Sequence, residues 1–112
     1  MKLVSAIVRP FKLDEVRKAL AVHGIQSFTV SEVRGFGGGK GATEFYRGAT
    51  YSENCLPKVK IEIVAPDEKI DTIVKTILET AKTGKIGDGK VFVLPVSEAY
   101  RIRTDESNEA AV

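Results

Sequence analysis

The chain has one cysteine, one histidine and no tryptophan in 112 residues. With Cys55 alone, an internal disulfide is impossible, and the cysteine–histidine zinc patterns are absent. His23 by itself excludes a histidine-built metal cluster, so no metal held by protein side chains is expected. No apolar run reaches the roughly 18 residues of a membrane span. The opening Met1-Lys2-Leu3-Val4-Ser5 passes straight into a charged, alternating segment and does not read as a signal peptide. The expectation is a cytoplasmic protein without direct membrane insertion. Charge of one sign is scarce too: 17 basic residues against 15 acidic leave a surplus of two. A nucleic-acid partner usually needs a concentrated basic face, so none is expected.

What is present suffices for one domain. Apolar residues make up 43% of the chain. A chain of this length can bury a core without staples. Residues 2–9 alternate as a strand, with Leu3, Ser5 and Ile7 on one face and Val4, Ala6 and Val8 on the other. Both faces are mostly apolar, which predicts a central strand. Pro10 stops it. Asp14 and Glu15 open a helix whose buried stripe is Leu13, Val16 and Leu20, with Gly24 as its C-cap. Residues 25–34 read as a second strand. Gly35 to Gly41 then holds five glycines in seven residues, a backbone entropy cost that no packed element tolerates. The polar stretch to about Leu56 makes a long loop, placed at 37–55, of the kind that is usually functional or mobile.

Residues 58–65 read as a third strand, with Val59, Ile61 and Ile63 facing one way and Lys58, Lys60 and Glu62 the other. Pro66 and Asp67 start a second helix with a core face of Ile70, Ile73, Val74, Ile77, Leu78 and Ala81. A second glycine loop spans 83–90, a fourth strand 91–96, and residues 99–104 suggest a short fifth. The acidic tail 105–112 reads as frayed. The order β-α-β, long loop, β-α-β is the α+β ferredoxin-like βαββαβ arrangement, an antiparallel sheet with two helices on one face. The other face is left for solvent or a second subunit, and the apolar first strand favours a subunit.

Three groups of residues could carry chemistry. Gly84 to Lys90 fits the letters of a phosphate-binding P-loop. However, Val91 stands where Ser or Thr is needed, and the order helix–loop–strand is reversed. Glycine N–H groups with Lys85 and Lys90 could still line an anion site. An ordinary turn is an equal reading. Arg101 and Arg103 would project to one side of a strand, where paired arginines suit phosphate oxygens; on spacing alone a solvated edge is favoured. Glu62 among lysines reads first as an ion-pair partner. His23, at a helix end, and Cys55, with no histidine nearby in sequence, are given no catalytic role.

Taken together the motifs are specific. Ile7-Val8-Arg9-Pro10-Phe11-Lys12-Leu13, Tyr46-Arg47-Gly48-Ala49, Leu56-Pro57-Lys58-Val59-Lys60-Ile61-Glu62, Thr83-Gly84-Lys85-Ile86-Gly87-Asp88-Gly89-Lys90 and Arg101-Ile102-Arg103-Thr104 resemble the PII nitrogen-regulatory signal proteins from end to end. That resemblance implies a homotrimer with ATP or ADP in each cleft between subunits. Thr29, Glu62 and Val64 would contact the base side, and Gly35, Gly37 and Gly38 would border the nucleotide. Gly87, Asp88, Gly89 and Lys90 would hold sugar and phosphates, and Arg101 and Arg103 would reach phosphates from the adjacent subunit. The long loop would be the T-loop, docking into an ammonium transporter or a nitrogen-metabolism enzyme or regulator. Tyr51 stands where some members are uridylylated, and Ala49 replaces the serine that others phosphorylate.

One departure matters. The family usually reads Gly-Arg-Gln-Lys-Gly where this chain reads Gly37-Gly38-Gly39-Lys40-Gly41. In the family that glutamine ligates the magnesium bridging ATP and 2-oxoglutarate. Gly39 offers no side-chain oxygen, although water could fill the position. The candidate 2-oxoglutarate or anion residues are Gly37, Gly39, Lys40, Gly41, Lys58 and Gly87. The expectation is retained ATP and ADP binding, with weakened 2-oxoglutarate sensing or a different small anion in its place. A phosphoryl-transfer enzyme on the same fold is the alternative of another class, and it lacks a credible nucleophile or base.

Overall fold

The structure, a computed structural model, describes residues 1–37 and 55–112. Four strands form one antiparallel sheet: β1 (Lys2–Val8), β2 (Thr29–Phe36), β3 (Cys55–Ala65) and β4 (Lys90–Pro95), in the order β2-β3-β1-β4. Two helices, α1 (Leu13–Val22) and α2 (Asp67–Ala81), connect them, which is the ferredoxin-like arrangement. β1 is central, as its two apolar faces require. Its helix-facing residues Val4, Ala6 and Val8 are buried. They join Val59, Ile61 and Ile63 of β3, Val16 and Leu20 of α1, and Ile70, Ile73 and Ile77 of α2 in one core.

The first helix ends where Gly24 adopts φ +79°. The Gly24 N–H donates to the Ala21 carbonyl and the Ile25 N–H to the Leu20 carbonyl, each at 3.0 Å. This pairing satisfies the last carbonyls and turns the buried Ile25 back onto the core. Residues 25–28 are thereby spent on the connection, so β2 begins at Thr29 and not at 25. It runs on to Phe36, because Gly35 and Phe36 pair with Leu56 and Cys55. β3 starts at Cys55 for the same reason. Pro57 is accommodated because β1 pairs only from Val59 onward, leaving that stretch at an edge.

Three expectations fail. Residues 99–104 form no strand: only Tyr100 makes a bridge, to Ser107, and the residues after it turn. The tail is also organised, with a 3₁₀ turn at Asn108–Ala111 and Glu109 3.5 Å from the α-amino group of Met1. In α2 the core face is shifted. Leu78 is 49% exposed, while Thr76 is buried. Thr76 tolerates burial because its hydroxyl donates to the Thr72 carbonyl at 2.7 Å.

The opposite sheet face carries no helix. Register places Leu3, Ser5 and Ile7 there beside Lys58, Lys60, Glu62 and Val64, and beside Phe92 and Leu94 of β4. Phe92 and Leu94 are 50% and 44% exposed.

Truncating Ile73 to Ala should cost about 2–5 kcal/mol of stability, because the site is sealed on every side. Leu78→Ala should cost well under that, despite removing a similar side chain. Urea unfolding of the two variants checks the revised core face.

Candidate functional site

The site is built where α2 hands the chain to β4. Thr83 to Gly89 makes a closed loop around one carboxylate. Asp88 accepts hydrogen bonds from the Thr83 hydroxyl, from the Thr83 and Gly84 N–H groups at 2.8 Å each, and from Arg9 Nε at 3.0 Å. These bonds favour the ionised form. The Thr83 contacts lead, followed by the Gly84 N–H and Arg9, and together they hold the carboxyl well below the ordinary carboxylate range despite some desolvation. The Lys85 N–H is also spent inside the loop, on the Thr83 hydroxyl at 3.2 Å. The N–H groups of Thr83, Gly84 and Lys85 therefore do not line an external anion site. Only the segment from Gly87 onward is left for that role.

Two cations face that segment. Arg9 donates through Nη2 to the Ile86 carbonyl at 2.9 Å, and Lys58 Nζ donates to the Gly87 carbonyl. Burial lowers the Lys58 ammonium pKa, and the neighbouring charge of Arg9 lowers it further, while Asp88 partly offsets both. Gly89 is irreplaceable for a steric reason. Its φ is +97°, and a Cβ there would lie 1.7 Å from the Ile7 carbonyl oxygen, backbone that cannot move aside. The loop thus lies directly on the end of β1.

The sequence-derived residues fall into three places. Lys58, Gly87, Asp88, Gly89 and Lys90 come together around this loop, and the Lys58 side chain lies along Gly35 of β2. Thr29 and Glu62 are directly opposed across β2 and β3, with Val64 two residues further on the same open face. Among the described residues Glu62 makes no ion pair, so its expected lysine partner is not found. Gly37 ends the first described segment. Gly38, Gly39, Lys40, Gly41 and Tyr51 lie outside the described residues, as does the loop placed at 37–55 apart from its two ends.

Arg101 and Arg103 stand apart. Their turn follows β4 at the Met1 end of the sheet, where the Val96 N–H donates to the Met1 carbonyl. The glycine loop touches Ile7, at the other end of β1, roughly 20 Å along the strand. Arg9 is the site residue that sequence reasoning missed. Its signal was the Arg9-Pro10 step, where a strand must end and its last side chain is free to reach the next loop.

A small cleft of about 160 Å³ opens behind the glycine loop between α2 and β4, lined by Ile77, Leu78, Ala81 and Val91 and bordered by Asp88, Gly89 and Lys90. It is below the size of ordinary ligand pockets and reads as a packing gap. No group of metal-ligating side chains is present among the described residues, and no described helix is long and apolar enough to cross a membrane.

Removing the charge with Asp88→Asn should loosen the loop at neutral pH. The folded-state pKa is depressed, so this stabilisation is fully present above the unfolded carboxylate value and is lost as pH falls below it. The stability gap between wild type and the variant should hold steady above about pH 5 and shrink below about pH 4. Thermal melts across that range measure it, and a gap independent of pH would contradict the assignment.

The chain is similar in sequence to known proteins over its whole length. The family model for nitrogen regulatory protein P-II matches residues 1–106. The nitrogen regulatory protein P-II 1 of Escherichia coli (strain K12) is 61% identical over 112 residues, the whole of both chains. The nitrogen regulatory proteins P-II of Klebsiella oxytoca and Haemophilus influenzae are 60% and 57% identical, again over the full length of both chains. The chain belongs to the PII family of nitrogen regulatory proteins, whose members are signal-transduction regulators and not enzymes.

Proposed function

We propose that this chain binds ATP and ADP at the glycine loop and reports the bound nucleotide to partner proteins through the segment between β2 and β3. The observation that carries the reading is the convergence of Arg9 and Lys58 on a loop whose own carboxylate has consumed its first N–H groups. That leaves Gly87, Asp88, Gly89 and Lys90 for sugar and phosphates, with Thr29, Glu62 and Val64 on the base side of the open face and Gly35 and Gly37 on the strand that leads past it; Gly38, outside the described residues, would join them on the family resemblance. Magnesium would accompany ATP, held by phosphates and water and not by side chains of the described residues.

Arg101 and Arg103 would complete the phosphate site from a neighbouring copy, since within one chain their turn and the glycine loop are tied to opposite ends of β1. This supports a homotrimer, with the apolar part of the open face (Leu3, Ile7, Val64, Phe92 and Leu94) covered by the other copies. The partners would be an ammonium transporter or an enzyme or regulator of nitrogen metabolism. Signalling requires ATP and ADP to favour different states of the connecting segment, because a ligand shifts only an equilibrium whose states it distinguishes.

A different small anion in place of 2-oxoglutarate is favoured by one feature of the sequence, the run Gly37-Gly38-Gly39-Lys40-Gly41. Lys58 supplies a cation for a carboxylate, but Gly39 has no side-chain oxygen for magnesium. Tyr51 remains a candidate for modification by another enzyme.

Calorimetric titration tests the reading. ATP and ADP should compete for one class of site. 2-Oxoglutarate added to the Mg-ATP complex should bind weakly or not at all, and Gly39→Gln should strengthen it. Absence of nucleotide binding would end the proposal, and tight 2-oxoglutarate binding by the wild-type chain would remove the special role of Gly39.

A further inference from the structure

The two arginines assigned to phosphates stand on a small closed turn made from residues 99–108. Its base is a double clamp: the Asn108 N–H donates to the Ala99 carbonyl at 2.6 Å, and Asn108 Oδ1 accepts from the Ala99 N–H at 3.2 Å. Further in, the Arg101 N–H donates to the Glu106 carbonyl at 2.8 Å, and the Arg101 carbonyl accepts from the Thr104 and Asp105 N–H groups at 3.3 and 2.8 Å. Asp105 and Asn108 take φ values of 63° and 54°, a region that these residue types tolerate better than most.

The side chains repeat the closure. Thr104 Oγ1 donates to Glu106 Oε1 at 2.7 Å and accepts from the Glu106 N–H at 3.3 Å. The Glu106 carboxylate is therefore anchored to its own turn. The same Oε1 lies 3.4 Å from Arg101 Nε. Contact on the Nε edge leaves the two terminal nitrogens of the guanidinium for a forked contact with an anion.

We propose that Glu106 is a specificity-determining residue of the phosphate site, a tethered carboxylate that competes with phosphate for Arg101. This rests on the reading of Arg101 as a phosphate ligand. The guanidinium charge is delocalised, so a carboxylate on one edge neutralises part of what the other edge offers. A phosphate arriving there also meets the fixed negative charge beside it, and the penalty grows with the charge of the ligand. ATP carries one more negative charge than ADP and is penalised more. Glu106 thereby levels the two affinities, so that the site responds to the ratio of the nucleotides and is not saturated by ATP alone. Arg101 and Glu106 are each nearly half exposed, at 43% and 47%, so solvent screening keeps the effect modest.

The test is Glu106→Gln. The glutamine oxygen still accepts from Thr104, and the backbone bond to Arg101 is untouched, so the turn is kept while the charge goes. Magnesium-free ATP and ADP are titrated calorimetrically into wild type, E106Q, R101A and E98Q, the last removing an exposed carboxylate from the same segment. E106Q should tighten both nucleotides by up to about five-fold, the range expected of a half-exposed ion pair, and ATP should gain more than ADP, so that the preference for ATP rises by a smaller factor. E98Q should match wild type. The Arg101 Nε–H resonance in ¹⁵N spectra should shift and exchange faster in E106Q, which a purely structural role for Glu106 would not produce alongside tighter binding. If wild type binds, R101A weakens binding and E106Q leaves both affinities unchanged or lower, the inference is overturned while the phosphate reading stands. If R101A binds as well as wild type, or wild type binds neither nucleotide, the reading of Arg101 falls and takes the inference with it.

Discussion

Asp88 carries a full negative charge in a loop whose neighbours Lys85 and Lys90, and whose facing residues Arg9 and Lys58, are all cationic. Without it, four positive charges would crowd one end of the sheet. With it, Arg9 is drawn across from β1 and fixed at both ends of its guanidinium, on Asp88 and on the Ile86 carbonyl. The Gly87 carbonyl is presented to Lys58, and Gly89 can settle on the Ile7 carbonyl at a separation no other residue permits. The loop is thus an internal anion site that has already taken its anion. What it offers an external one is the remainder: the N–H groups from Gly87 onward and the cations around them.

Much of this was legible in the sequence, for identifiable reasons. The central position of β1 followed from apolar residues on both faces, and the burial of Val59, Ile61 and Ile63 followed from strict alternation. Gly24 as a helix stop followed from the cost of a left-handed residue elsewhere. The errors have one physical root: periodicity reports polarity, while burial depends on what lies opposite. Thr76 is polar but returns its hydroxyl to its own helix, so it is buried; Leu78 is apolar but borders the open cleft between α2 and β4, so it is half exposed. Arg101-Ile102-Arg103 alternates like a strand, yet it pairs with no strand among the described residues, and local bonds to Glu106, Thr104 and Asp105 form instead.

The glycine loop was visible as a motif, but its logic was not. Spacing alone left a turn and an anion site in balance, because both need the same glycines. The loop's own closure involves a residue distant in sequence, Arg9, whose contact with Asp88 spans most of the chain. Pairings of that kind leave no local periodic trace. The resemblance to the PII family pointed to residues 87–90, and the geometry adds what Asp88 does there: its first duty is to the loop itself.

Lys58 ties these parts together. Its stem lies along Gly35, two residues before the first described segment ends, and its ammonium group reaches the Gly87 carbonyl. One side chain therefore touches both the strand that leads into the long connection and the loop that precedes β4. Its charge is costly where it sits, because burial and Arg9 both disfavour it and only Asp88 offsets them. A partly buried cation with a neutral carbonyl as its near partner gains more from an added carboxylate than a solvated one would, since the interaction is screened less. The same physics that lowers the pKa of Lys58 would favour a carboxylate brought beside it. Gly35 leaves room for that lysine along the strand, so the one side chain is in touch with both the glycine loop and the strand that leads into the connection.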